Sequence, residues 1–238
     1  MCMAFFSIGL SFLSSNAEGN LPDRKKGRRK LLSAEARRIL SLLGGNILHD
    51  NDILKDENGR PYFPGLNADL SISHSGDITA VSMVKGEKLR TGCDIELVKR
   101  RVNIIEIAKK YFSASERDYI FKVDTNPHDG KKFFIIWTLK ECFLKLNGFS
   151  VFDMYKAPSF INDEGHFAFD APVSSPLSFY AYELKGMSGE TYVFSTAVEG
   201  AGQLQPDLRW YSKYFLPARS IVEIKAEPSP TETVSPKM

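Results

Sequence analysis

Cysteine is scarce in this chain, with three in 238 residues. Cys2, Cys93 and Cys142 are too scattered for a disulfide framework or a zinc cluster, which favours a reducing compartment, and the expected location is the cytoplasm. Net charge is equally slight: 31 basic and 29 acidic residues leave +2, so nothing global points to nucleic acid, a membrane surface or an acidic tail. No run reaches the roughly 18 consecutive apolar residues that a membrane span needs. There is no G-x-S-x-G elbow, and no His and acid partner lies near the serines in sequence to suggest a hydrolase triad. What is present, 43% hydrophobic residues, can bury a core as one large domain or as two compact halves.

The apolar start from Met1 to Leu13 has two readings. It resembles the hydrophobic part of a signal peptide, although no positive charge precedes it. Its alternation at Phe6, Ile8, Leu10 and Phe12 equally fits a buried first strand. A basic cluster from Asp23 to Lys30 then precedes an expected helix, in which Leu32, Ala36, Ile39, Leu40 and Leu43 recur at helical spacing and Gly44-Gly45 gives the stop. Asn58-Gly59-Arg60-Pro61 reads as a turn. Three short strands follow, Asp69 to Ser73, Ile78 to Val84 and Thr91 to Val98, which read as an antiparallel meander.

Ile104, Ile107, Ala108 and Tyr111 mark a helix, Ser113 to Glu116 fits a capping box that opens another, and a longer helix is expected from about Lys132 to Asn147, with Gly148 past its end. Beyond it the expected strands are Ser159 to Asn162, His166 to Phe169, Leu177 to Leu184 and Thr191 to Val198, with a hairpin turn at Asp163-Glu164-Gly165. The fold class is α+β. The expected division is residues 1–66 as the N-terminal part of a first half, 67–150 as the ligand-binding core, 151–222 as a C-terminal sheet completing a second half, and 223–238 as a disordered Pro-, Ser- and Thr-rich tail.

Four stretches carry chemistry. In Gly92-Cys93-Asp94-Ile95-Glu96, period-two geometry sets Cys93 and Ile95 on one face and Asp94 and Glu96 on the other. Two adjacent carboxylates repel unless a cation sits between them, and oxygen ligands suit magnesium or manganese; the plain alternative is a half-exposed strand with acidic outer residues. Trp137, Glu141 and Lys145 recur at four-residue spacing on the long helix, as a flanking stripe or simply as a surface ion pair beside a packed tryptophan. Ser71-Ile72-Ser73-His74-Ser75-Gly76 is a strand end with hydroxyl, imidazole and backbone donors suited to phosphate, or else a serine-rich turn. Arg28, Arg29, Lys30 and Arg60 offer positive charge to an anion, or form a solvated charge run.

Together these residues resemble the 4'-phosphopantetheinyl transferase family, in its larger surfactin-type branch. Gly59-Arg60-Pro61 is similar to the family's G-K/R-P, Ser71 to Gly76 to its N-I-S-H-S-G, and Gly92 to Glu96 to its G-I-D-I-E. Ile107 to Ser113 with Glu116 resembles I-A-x-R-F-F-S-x-x-E, and Trp137-x-x-Lys140-Glu141-x-x-x-Lys145 resembles W-x-x-K-E-x-x-x-K. Ser71 stands for the usual asparagine and Cys93 for an apolar residue, and the segment before Arg29 is shorter than in typical members.

The resemblance implies a monomeric pseudo-dimer of two similar α+β halves, each a helix packed on an antiparallel sheet, with coenzyme A in the cleft between them. It implies that Asp94, Glu96 and Glu141 hold magnesium, or manganese, at the coenzyme A pyrophosphate, and that Lys145 contacts the phosphates. Arg29, Arg60, Ser73 and His74 would surround the 3'-phosphate and nucleotide. The partner would be an apo acyl or peptidyl carrier protein whose serine attacks the β-phosphate and releases 3',5'-ADP. Asp94, Glu141 and Lys145 are the implied catalytic residues, with the proton passing to Glu141 or to a metal-held water. Carrier recognition is expected around Ala114 to Lys122 and the loop to Lys131. Two rival readings remain: a metal-dependent phosphodiesterase acting on nucleic acid, which the small net charge disfavours, and a carrier-binding module without catalysis, which three mutually repulsive carboxylates disfavour.

Overall fold

The computed structural model describes residues 4–12, 24–45, 52–57, 59–64, 66–98, 103–122, 130–186, 189–200, 204–211 and 218–228. In chain order the elements are β1 (Phe5–Phe12), α1 (Arg24–Gly44), the two-residue strands β2 (Leu54–Lys55) and β3 (Pro61–Tyr62), β4 (Ala68–Ser75), β5 (Ile78–Lys85) and β6 (Arg90–Leu97). Helices α2 (Ile104–Tyr111), α3 (Ala114–Phe121) and α4 (Lys131–Leu146) come next, then a 3-10 helix at Val151–Lys156. The chain continues through β7 (Ser159–Ile161), β8 (Phe167–Asp170), β9 (Leu177–Lys185), β10 (Thr191–Glu199), β11 (Asp207–Trp210) and β12 (Ala218–Ala226). The fold is α+β, and among the described residues no helix is long and apolar enough to cross a membrane.

The apolar alternation at the start does form a strand. Phe6, Ile8 and Leu10 are buried, and β1 lies inside a four-stranded sheet ordered β11-β1-β5-β4. Helix α1 packs on β1 and β5 of that sheet, burying Ala36, Ile39 and Leu40 against Leu70 and Val81. A second four-stranded sheet is ordered β12-β9-β10-β6, and α4 packs on its β6 and β10. Each sheet therefore carries one long helix, because each has one apolar face that a helix stripe must cover.

Several expectations change. The basic run expected ahead of the first helix forms its opening turns, since arginine and lysine are good helix formers. The three strands expected as one meander divide: β4 and β5 pair, whereas β6 leaves that sheet and pairs with β10 in the other. The first sheet is not wholly antiparallel, because β11 returns from the C-terminal part of the chain to run parallel to β1. Residues 223–226, expected in a disordered tail, belong to β12, which buries Val222 and Ile224; residues 229–238 of that expected tail lie outside the described residues.

The sheets meet along β4 and β6 without pairing main chain to main chain. Residues 91, 93, 95 and 97 of β6 turn their N–H groups to the edge away from β10, and the side chains of β4 accept them. Thr91 N donates to Asp69 Oδ2 at 2.7 Å, Cys93 N to Ser71 Oγ at 3.1 Å, Ile95 N to Ser73 Oγ at 3.3 Å and Leu97 N to Ser75 Oγ at 3.0 Å. An exposed edge of this kind needs covering, and serine hydroxyls at every second position supply the acceptors.

On the other face of β6, Gly92 lets α4 come close. A Cβ at Gly92 would stand 2.3 Å from the Cys142 carbonyl oxygen and 2.9 Å from Leu146 N. Both neighbours are backbone of a packed helix and cannot step aside as a side-chain tip would. Gly92→Ala is therefore expected to destabilise the chain by about 3 kcal/mol, the upper range for overpacking, read as a fall in the midpoint of chemical denaturation.

Candidate active site

The seam delivers two acids into a cleft. With Cys93 and Ile95 fully buried in a core shared with Ile8, Ala80 and Phe194, alternation turns Asp94 and Glu96 to the face that α4 covers. Asp94 is almost fully buried, while Glu96 is half-buried. From α4, Lys145 reaches back with its Nζ 2.7 Å from Asp94 Oδ1 and 3.1 Å from Ser73 Oγ. Ser73 in turn donates to Asp94 Oδ1 at 2.7 Å, and Ser75 donates to Glu96 Oε2 at 2.8 Å. The other oxygen of Asp94, Oδ2, is buried and has no hydrogen-bond partner.

Glu141 lies one helical turn before Lys145. Burial first, then the negative charges of Asp94 and Glu96, push its carboxyl up to about 7, against a smaller pull downward from Lys145. Burial alone would lower the ammonium of Lys145, but Asp94, Cys93 and Glu141 together hold it above the usual lysine range. Glu141 therefore feels the negative charge of both strand acids, and Lys145 offsets only part of it.

These features bear on a metal. Among the described residues, no three His, Cys, Asp or Glu side chains converge closely enough to hold an ion. The trio expected for magnesium is not gathered into a preformed cage, and the Lys145 ammonium pairs with one Asp94 oxygen. The donor set nevertheless fits a hard divalent cation. It is all oxygen, it includes the partnerless Asp94 Oδ2, and it carries an acid whose proton affinity is raised by burial and then by the charges of its neighbours.

A cleft of about 500 Å³ opens over this group. Asp94, Glu96, Lys145, Ser73 and His74 line one wall, while Leu32, Ser33, Ala36 and Arg37 of α1 and Gly59 and Pro61 of the β2–β3 turn line the rest. His74 is exposed, and partial burial with the nearby charges of Lys145 and Arg29 lowers its proton affinity, so the neutral ring is favoured. Arg29, expected at the nucleotide, is exposed on α1 and is not among the residues that line this cleft. Arg28, whose role was open, bonds the Gly76 carbonyl at 3.0 Å and pairs with Asp77, tying α1 to the β4–β5 turn. Arg37 of α1 and Lys55 of β2 also line the cleft; the sequence reading singled out neither.

Arg60 departs from expectation. Its guanidinium pairs with Asp69 and donates to the carbonyls of Lys145 and, at 2.6 Å, Thr91. As it stands, Arg60 clamps β4, β6 and the end of α4, and its donors face protein. Lys140, of the same helix motif as Glu141, is also structural. Its Nζ lies 3.1 Å from Glu116 Oε1 with both side chains at most 2% exposed, and it donates to the Pro158 carbonyl at 2.8 Å. Glu116 closes the expected capping box with Ser113 and accepts from Phe160 N at 2.9 Å, so this pair joins α3, α4 and β7. A second hollow, of about 660 Å³, lies between α3 and the β7–β8 hairpin and contains none of the candidate acids.

Residues 90–196, from β6 into β10, match the family model described as the 4'-phosphopantetheinyl transferase superfamily. Among relatives, the chain is 27% identical over 161 residues to the 4'-phosphopantetheinyl transferase AcpT of Salmonella typhi, covering 65% of this chain and 80% of that protein. It is 31% identical over 121 residues to the 4'-phosphopantetheinyl transferase of Bacillus subtilis, covering 49% of this chain and 50% of that protein. The Escherichia coli K12 AcpT is 30% identical over 109 residues, 45% of this chain and 54% of that protein.

The raised proton affinity of Glu141 gives a test of the charge balance. A carboxyl with a folded pKa near 7 against the ordinary 4.5 stabilises the fold fully below pH 4.5 and loses that contribution as pH rises through 7. At about 1.4 kcal/mol per pH unit, the loss reaches about 3 kcal/mol by pH 8. In EDTA, Glu141→Gln is expected to melt higher than the wild type at pH 8, with the difference vanishing near pH 4.5, in paired thermal melts.

Proposed function

We propose that this chain, whose residues 90–196 match the 4'-phosphopantetheinyl transferase superfamily model, moves the phosphopantetheine arm of coenzyme A onto a serine of an apo carrier protein. The observation that carries this reading is the joint placement of Asp94, Glu96 and Lys145 on the wall of one cleft, with Glu141 one helical turn before Lys145 and feeling the charges of all three. A pyrophosphate-bearing substrate suits a site that joins acidic oxygens for a hard cation to a lysine and neighbouring hydroxyls for the phosphates.

In this reading Asp94, Glu96 and Glu141 hold a magnesium or manganese ion, which when bound offsets charge at the pyrophosphate. Lys145 exchanges its pairing with Asp94 for a phosphate oxygen. Ser73 and the neutral His74 donate to the nucleotide phosphates, with Arg29 and Arg37 adding positive charge at the rim. The carrier hydroxyl forms a new P–O bond at the β-phosphorus while the bond to the leaving phosphate breaks. 3',5'-ADP departs with the electron pair, and the hydroxyl proton passes to Glu141 or to water. Arg60 supports this work from behind, by fixing the end of the helix that bears Lys145. The two halves, each a helix on a four-stranded sheet, suit the pseudo-dimeric surfactin-type branch. The hollow beside α3 is assigned to carrier recognition, in line with the expectation for Ala114 to Lys122.

The direct test is intact mass of apo acyl and peptidyl carrier proteins after incubation with the full chain, coenzyme A and magnesium. The reading predicts a gain of one phosphopantetheine, abolished in Asp94→Ala. Turnover retained in Asp94→Ala, or no binding of coenzyme A by the wild type, would contradict it.

A further inference from the structure

We propose that Ser75 is a positioning residue that aims the Glu96 carboxylate into the cleft, as Ser73 aims Asp94, and that affinity for a divalent cation depends on it. The proposal rests on the reading of the cleft given above. It comes from a unit that repeats along the seam. At Ser73, the hydroxyl accepts from Ile95 N at 3.3 Å and donates to the carboxylate of the preceding residue, Asp94, at 2.7 Å. One rung on, Ser75 accepts from Leu97 N at 3.0 Å and donates to the preceding residue, Glu96, at 2.8 Å.

The direction of each hydroxyl proton follows from the backbone. A serine hydroxyl has one proton and two lone pairs. When a strand N–H fills a lone pair, the proton is turned away from that N–H, and the carboxylate one residue earlier on β6 lies where it can receive it. Capping the strand edge and orienting the acid are thus one act. Ser75 is buried and is not among the residues that line the cleft, so it acts through Glu96 and does not touch substrate. Glu96 has one more rotatable bond than Asp94 and is half-buried; the hydroxyl restricts where its carboxylate rests.

Ser71 supplies an internal control. It accepts from Cys93 N at 3.1 Å in the same way, but the preceding residue is Gly92 and no acid stands there. Ser71→Ala and Ser75→Ala each remove one seam acceptor, and only the second removes a hold on a carboxylate.

The test uses the full chain with coenzyme A present, titrated with Mn²⁺ and followed by electron paramagnetic resonance, with thermal melts in parallel. Ser75→Ala is expected to weaken Mn²⁺ binding about 10-fold, the usual effect of losing a partner of a metal ligand. Ser71→Ala and Ser75→Thr are expected to bind within about twofold of the wild type, and Ser71→Ala and Ser75→Ala to melt at similar temperatures. Wild-type Mn²⁺ affinity in Ser75→Ala, or equal weakening in Ser71→Ala, would overturn the proposal while leaving the transferase reading in place. A wild-type chain that takes up neither coenzyme A nor Mn²⁺ would overturn both.

Discussion

The open edge of β6 is the constraint on which the site depends. Four of its N–H groups face away from the partner strand β10 and must find acceptors, and β4 meets them with the side chains of Asp69, Ser71, Ser73 and Ser75. Side-chain capping holds the two sheets side by side without fusing them into one. Had β4 paired through its own backbone, its serines would not face the acids of β6, and the seam would carry no hydroxyl donors to Asp94 and Glu96. The alternation that turns residues 91, 93, 95 and 97 to the seam turns Gly92, Asp94 and Glu96 to α4.

Gly92 then sets how near α4 comes, and so how near Glu141 and Lys145 come to the strand acids. A cluster of this kind is costly unless paired. The protein meets the cost with one ammonium on Asp94, two seryl hydroxyls and a glutamate whose proton affinity is raised. The helix is itself fixed at both flanks. Arg60 grips its last turn through the Lys145 carbonyl, and the buried Lys140–Glu116 pair anchors its middle to α3 and β7. Arg60 and Lys140, motif residues turned toward protein, thus help decide where Glu141 and Lys145 stand.

Much of this was legible in the sequence where local physics decides the outcome. Period-two alternation across Gly92 to Glu96 gave the correct two faces, the capping box at Ser113 formed as written, and the stop at Gly148 falls where its left-handed φ of 71° ends α4. Topology was less legible, because strand partners depend on contacts far apart in sequence. The β4, β5 and β6 segments read as one meander, yet β6 pairs with β10 and β11 returns to lie beside β1. Of the site residues named from motifs, Ser73, His74, Asp94, Glu96 and Lys145 line one cleft, whereas Arg60 faces Asp69 and two carbonyls. A guanidinium beside an acid nine residues along the chain carries no local sign of which anion it will choose. The seam was invisible for the same reason: Ser71, Ser73 and Ser75 alternate, but nothing in their spacing names the strand they cap.

The central claim is that the cleft over Asp94, Glu96 and Glu141 is where coenzyme A and its cation bind. A crystal structure of the full chain grown with coenzyme A and Mn²⁺, with anomalous data for manganese, tests it most directly. The account predicts one strong peak bonded to Asp94 Oδ2, with the pyrophosphate beside Lys145 and the nucleotide along α1. A peak and nucleotide in the hollow between α3 and the β7–β8 hairpin, with Lys145 still paired to Asp94, would contradict it.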